Sequence, residues 1–405
     1  MYFLSHILIA CMCLVLTSPA FAFGQASTNH LVRASFDAAS SDESPRTPAV
    51  LSNPICHDVD FSVVITAPAS CKKLAVWFPL PPTNEIQKIE DSQLSTFPIE
   101  VTPRIETEPV FGNRFAYYEF NQPAGGLIIR HRFRATIHQA NWNVDPTKIE
   151  SVVDWGAEFE PYLKLETIDD SKTFEETIKL IGASGPQASD DIYSAMDWID
   201  QNLSYSHEKA SLAADVNHAF NGRAGHCSDY HGLCAEMGRR MGYPGRVTYG
   251  LCLYPKSSPS HCKLEVFLPG YGWVPFDLSE SQKLVQRIQA STELRDDEKK
   301  RFTKIARTRS KEGFRENSWL EVTRGTNYEL APKASGPVKL VRTIYAEADG
   351  VPLRDPDPSN PNQREFAWMT VTKFSATPIF RPAFPARDFQ SIETETAIET
   401  GATPR

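Results

Sequence analysis

Residues 222–246 read GRAGHCSDYHGLCAEMGRRMGYPGR, and two chemistries compete for them. Cys227, His231 and Cys234 stand four and three residues apart, so on a helix they share one face. That face is either a metal clip or ordinary core beneath a nucleophilic thiol at Cys227. Tyr230, Cys234, Met237 and Met241 recur with helical spacing, Gly242 suits a left-handed stop, and Pro244 prevents continuation. The pattern predicts a helix from about Cys227 to Met241, with Cys227 at its start. The free N–H groups and the positive dipole end of a helix start favour thiolate over thiol. Gly222 and Gly225 would allow a tight approach just ahead of the cysteine.

A thiol that attacks an amide needs a base, a group that orients the base, and donors for the oxyanion. His261 opens the strand-like run HCKLEVFL, and Asp277 closes the run YGWVPFD. A three-residue hairpin loop at Leu268-Pro269-Gly270, with Gly270 left-handed, sets Phe267 against Tyr271 and Glu265 against Trp273. Lys263 then faces Pro275 and His261 faces Asp277, with opposed Cβ atoms about 4.5–5.5 Å apart. A four-residue loop would move this register.

These residues carry a resemblance. The helix start around Cys227, the run Gly242-Tyr243-Pro244-Gly245-Arg246, the strand opening at His261 and the run Gly272-Trp273-Val274-Pro275-Phe276-Asp277 follow in order the motifs of the transglutaminase-like superfamily, the papain-like thiol fold. The resemblance implies a Cys-His-Asp triad at Cys227, His261 and Asp277. It also implies acyl transfer on amide bonds through a Cys227 thioester, as peptide or amide hydrolysis or as transglutamination, on a peptide or protein substrate. No cofactor and no metal are implied. It covers residues 187–280, while 74–87 and 319–350 resemble the β-rich regions that flank the core in bacterial members. The implied fold is α+β: a papain-like core, an N-terminal β-sandwich before it and a β-rich extension after it. One position departs, because the family places Trp two residues after the histidine and here Lys263 stands there.

A structural zinc site of Cys227, His231 and Cys234 needs a fourth ligand, supplied only by Cys252 or Cys262 in space, and leaves His261 and Asp277 without a shared role. His231 therefore reads as a packed or hydrogen-bonded side chain, and Cys234 as a buried free thiol. Asp229 suits the first helical turn on dipole grounds, yet its charge opposes thiolate formation, so it takes no catalytic role. Tyr205 and Trp198 read as core before oxyanion donors, and the backbone N–H of Cys227 is one expected donor. A binding module for peptide or cell-wall ligands is the rival to an enzyme, and Lys263 in place of Trp is its argument.

The frame around this segment is legible too. A chain of 405 residues with 41% hydrophobic and 23% charged residues suits a globular protein of several domains, and a net charge of −8 argues against nucleic acid as partner. Residues 1–22 form an apolar run ending Ala-Phe-Ala, read as a secretory leader cleaved after Ala22, although no Lys or Arg precedes Ile7. Lipidation at Cys11 is the lesser reading, because the apolar run continues to Leu16. Secretion or a periplasmic location follows, with no stable membrane span after cleavage. The expected organisation is a leader at 1–22, a lead-in at 23–54, a β-sandwich at 55–145, the catalytic core at 146–282, a helical and β-rich extension at 283–385, and a tail at 386–405. An oxidising compartment permits disulfides, with Cys56–Cys71 and Cys252–Cys262 as candidate pairs.

Overall fold

The computed structural model describes residues 49–149, 154–182, 190–254, 260–355 and 368–377. The segments read as leader and tail, and most of the lead-in, lie outside the described residues.

Alternation builds the first strands. β1 (Val50–Thr66) buries Val59, Phe61, Val63 and Ile65 and turns the residues between them outward. It is followed by β2 (Lys73–Leu80), β3 (Gln87–Phe97), β4 (Arg104–Thr107), β5 (Arg114–Asn121) and β6 (Gly126–Asn141). β2 is buried on both faces. Leu74, Val76 and Phe78 pack with the β1 side chains, while Ala75 and Trp77 join Phe115, Tyr117 and Tyr328 on the other side. β3 carries no apolar alternation that would reveal it; its backbone pairs antiparallel with β6 instead.

The helical part follows: α1 (Glu160–Leu163), α2 (Ser171–Gly182), α3 (Asp190–Asn202), β7 (Ser204–Tyr205), α4 (Val216–Gly222), β8 (Ala224–Gly225) and α5 (Cys227–Arg240). Ile192, Met196, Ile199 and Leu203 are buried, as their helical spacing requires. Every residue of α5 from Cys227 to Arg239 is buried, so α5 is the central helix. It lies against β9 (Gly245–Cys252) and β10 (Ser260–Leu268), which β11 (Gly272–Phe276) extends.

The charged stretch at 283–311 falls in two helices, α6 (Leu278–Ala290) and α7 (Asp296–Glu312). They meet through Leu284, Ile288, Phe302 and Ala306, a small core of their own. Then come β12 (Phe314–Arg315), β13 (Trp319–Arg324), β14 (Tyr345–Ala348), β15 (Val351–Pro352) and β16 (Trp368–Thr377).

These late strands complete sheets begun earlier. One sheet runs β12-β6-β1-β16 with β3 also on β6, a second runs β15-β14-β2-β5-β4, and the third runs β11-β10-β9-β13. The first two face each other across a shared apolar interior and form the β-sandwich. Leu251, Leu253, Leu320 and Val322 of the third sheet enter that interior, at about 1.5–3 kcal/mol for each fully buried side chain. The fold is α+β, with a helix-on-sheet core seated on a strand-rich N-terminal region.

Candidate active site

The start of α5 is built as a reciprocal cap. Nδ1 of His226 accepts from the Ser228 N–H at 3.2 Å, and the Asp229 carboxylate accepts from the His226 N–H at 3.0 Å. Asp229 also accepts from the Ser211 hydroxyl and, at 3.2 Å, from the Ser211 N–H. A Cβ on Gly225 would come within 2.5 Å of the Asp229 Cβ, so this residue must be glycine for the cap to close. A Cβ on Gly222 would meet nothing, so the tight approach expected there belongs to Gly225 alone. Cys227 thus occupies the first helical position, 7% exposed.

The hairpin register differs from the expected one. Leu268 pairs with Gly272, Phe267 with Trp273, Glu265 with Pro275 and Leu264 with Phe276. The three-residue loop is Pro269 to Tyr271, one residue later than expected, and each partner moves by two. Because side chains alternate with period two, the move preserves faces. The direct opposition of His261 and Asp277 is replaced by a diagonal, with Lys263 continuing the ladder toward Asp277. Diagonal neighbours still lie within reach of long side chains. Nε2 of His261 is 2.6 Å from Oδ2 of Asp277, and Nζ of Lys263 is 2.8 Å from the same oxygen.

The other carboxylate oxygen is occupied as well. Oδ1 of Asp277 accepts from the Glu280 N–H at 3.1 Å and the Ser279 hydroxyl at 3.2 Å, capping α6. Burial pushes the Asp277 carboxyl upward, but the charges of His261 and Lys263 outweigh it and hold the group well below the usual carboxylate range.

Behind His261 the packing is close. The residue pairs with Gly250 of β9, where a Cβ would collide with the Leu320 carbonyl oxygen and lie 2.6 Å from the Trp319 ring. Nε1–H of Trp319 donates to the His261 carbonyl at 3.4 Å. A β3 residue supports β13 in turn: Gln87 accepts from the Glu321 N–H at 2.9 Å and donates to the Glu321 carbonyl at 2.9 Å.

Cys262 and His261 are the thiol and the ring that act on the Cys227 sulfur. Since Nε2 of His261 faces Asp277, Nδ1 is the nitrogen left for the sulfur. Cys262, then the nearby His226 and His261, hold Cys227 well below the ordinary thiol range against the opposing effect of burial. Burial and the neighbouring Cys227 push the Cys262 thiol well up.

His231 extends this line. Its Nε2 accepts from the Leu278 N–H at 3.1 Å, which leaves the proton on Nδ1, 3.4 Å from the Cys262 sulfur. Complete burial lowers its pKa to about 4, so the ring is neutral near pH 7. Its two nitrogens are therefore engaged within the fold, and Cys234 sits in the apolar core with its thiol pKa raised by burial. Cys227, His231 and Cys234 do not converge on a metal geometry, and no such cluster exists among the described residues.

Cys262 is the neighbour of Cys227 that the sequence reading missed. The signal was present: residues next to His261 on a strand face the opposite side, and that side meets the helix bearing Cys227. The candidate disulfides do not form. Cys262 pairs with Tyr249 and Cys252 with Trp319, and none of Cys56, Cys71, Cys227, Cys234, Cys252 and Cys262 is in a disulfide. Tyr205 is half-buried near Cys227, with Lys283 Nζ 4.2 Å from its ring centroid. Trp198 stacks on Phe220 under the Arg223 guanidinium and serves packing. Arg246, part of the Gly-Tyr-Pro-Gly-Arg run, bonds Glu265 at 2.7 Å and lies 3.9 Å from the Trp273 ring centroid, a clamp on the hairpin.

Residues 178–278 match the model of the transglutaminase-like superfamily. An uncharacterized protein of Haemophilus influenzae is 26% identical over 172 residues, covering 37% of this chain and 43% of the relative, so less than half of that protein is spanned. The crystal structure of a candidate cysteine protease from Cytophaga hutchinsonii superposes with a TM-score of 0.54 at 14% identity, over 82% of this chain and 95% of that one, a likeness of fold. The periplasmic domain of TgpA from Pseudomonas aeruginosa aligns at a TM-score of 0.30 and 15% identity, over 57% of this chain and 91% of that one. Through residues 178–278, the chain carries a domain of the transglutaminase-like superfamily.

Proposed function

We propose that this chain is a thiol-dependent enzyme that transfers acyl groups from amide bonds through a thioester on Cys227. The observation that carries the reading is the 2.6 Å contact between His261 and an Asp277 whose orientation the α6 cap fixes, with His261 among the groups that lower the Cys227 pKa. The thiolate attacks the amide carbon. His261 protonates the departing amine, the C–N bond breaks, and the thioester remains. His261 then takes a proton from the acceptor, which displaces the sulfur as thiolate. Asp277 orients the imidazole and offsets its charge. The Cys227 N–H, at the helix start, serves as one oxyanion donor.

With water as acceptor the product is a carboxylic acid, and with an amine it is a new amide. Hydrolysis is the favoured outcome, because water is the abundant acceptor in a dilute aqueous compartment. The apolar leader at 1–22 supports export, and a peptide or protein is the proposed substrate. Among the described residues no helix is long and apolar enough to cross a membrane. The test is turnover of amide and peptide libraries, with and without an added primary amine, by wild type and Cys227→Ala. Undiminished turnover in the variant would end the proposal.

A further inference from the structure

Lysine is almost never fully buried unless it is paired. Lys263 is 1% exposed, in the middle of β10, at the position where the sequence departs from its family. Its ammonium lies 2.8 Å from Oδ2 of Asp277 and 3.0 Å from Oε2 of Glu316, with the Trp319 ring centroid 5.4 Å away. Burial disfavours the charged lysine, but these two carboxylates outweigh it and raise its pKa.

One oxygen of Asp277 therefore receives both the imidazole and a permanent cation. Both carboxylates touch the same ammonium, so they sit no more than about 6 Å apart and would repel each other without it. The other titratable groups that act on Asp277 or feel its charge are His261, Cys262, Tyr205 and His231, whose Nε2 is 3.7 Å from Oδ1. Glu280, on the first turn of α6, is neutralised by Lys283 at 2.5 Å. Lys263 is thus the one fixed cation in contact with the Asp277 carboxylate among the described residues.

We infer that Lys263, anchored by Glu316, is a positioning residue: its ammonium holds Asp277 Oδ2 where it meets His261 and balances the carboxylate charge. The inference rests on the reading of Cys227 as the reactive thiol. It assigns a role to a side chain that does not touch the sulfur, and it explains why a lysine is tolerated beneath the pair.

The test is the pH midpoint of Cys227 alkylation by iodoacetamide, followed by mass spectrometry, in wild type, Lys263→Met, Glu316→Gln and the double variant. Lys263→Met removes a positive charge beside the site, so the midpoint rises by about one pH unit or more. Glu316→Gln leaves the ammonium uncompensated, so the midpoint falls. The double variant returns toward wild type. An unmoved midpoint in a folded Lys263→Met protein would overturn the inference. So would shifts of the same sign in both single variants, the pattern of simple loosening. If Lys263→Met does not fold, Glu316→Gln decides alone, and an unmoved or raised midpoint rejects the role. A wild-type midpoint near the free-cysteine value of about 8.5 instead rejects the reactive-thiol reading, while the differences between variants still report on Lys263.

Discussion

Asp277 turns one carboxylate oxygen to His261, 2.6 Å from Nε2, and the other to the first turn of α6, where it caps the helix. Orientation of the imidazole and stability of α6 are therefore properties of one side chain. Asp277→Asn keeps the shape and loses the charge; alkylation of Cys227 near pH 6 should slow at least about 100-fold, by analogy with other orienting carboxylates. Asp277→Ala should lose that and also about 1 kcal/mol of stability through the missing cap, measured by urea unfolding.

Cys262 is the largest single influence lowering the Cys227 pKa. Cys262→Ala removes the thiol, so the alkylation midpoint of Cys227 should move upward. Cys262→Ser keeps an O–H donor and should stay closer to wild type. Equal midpoints in the alanine variant and wild type would contradict that influence.

Gly250 faces His261 where the Leu320 backbone and the Trp319 ring close in. Gly250→Ala should destabilise the chain by about 1–3 kcal/mol or more, since the obstruction includes backbone that cannot rotate away. Gly336→Ala, where a Cβ meets nothing, is the control and should change stability by less than about 0.5 kcal/mol. The comparison is read from urea midpoints.

Buried neutral histidines set the acid limit of stability. Burial lowers His131 to about 3 and His231 to about 4, against 6.5 for both in an exposed setting. Between 6.5 and these values the unfolded chain binds protons that the folded chain does not, so stability falls as pH is lowered through that window. Asp277, with its depressed pKa, acts in the same direction at still lower pH. The urea midpoint should fall steadily from pH 6.5 toward pH 4, with net proton uptake on unfolding. A flat profile would contradict the burial of these rings.

Much of the site is legible in sequence because its parts follow local rules. A glycine that admits the Asp229 cap, a helical apolar period and a stop at Gly242 place Cys227 at a helix start. Period-two alternation puts His261 and Asp277 on one face even though the hairpin register is two residues away from the expected one. What escapes is non-local. β3 has no apolar alternation and exists because β6 offers it a paired edge. Lys263 finds Glu316 53 residues later in the chain, and no spacing rule connects them. Cys262 and Cys252 are a candidate pair in the sequence, whereas the observed ladder sets them against Tyr249 and Trp319.

The central claim is that Cys227 is an activated thiolate poised against His261. Its most direct measurement is the alkylation rate of each cysteine against pH, with mass-spectrometric identification of the modified residue. The expected result is selective modification of Cys227 with a midpoint well below the free-thiol value of about 8.5, abolished in Cys227→Ala and shifted in His261→Ala. Modification spread over several cysteines, or a Cys227 midpoint at the free-thiol value that His261→Ala leaves in place, would contradict it.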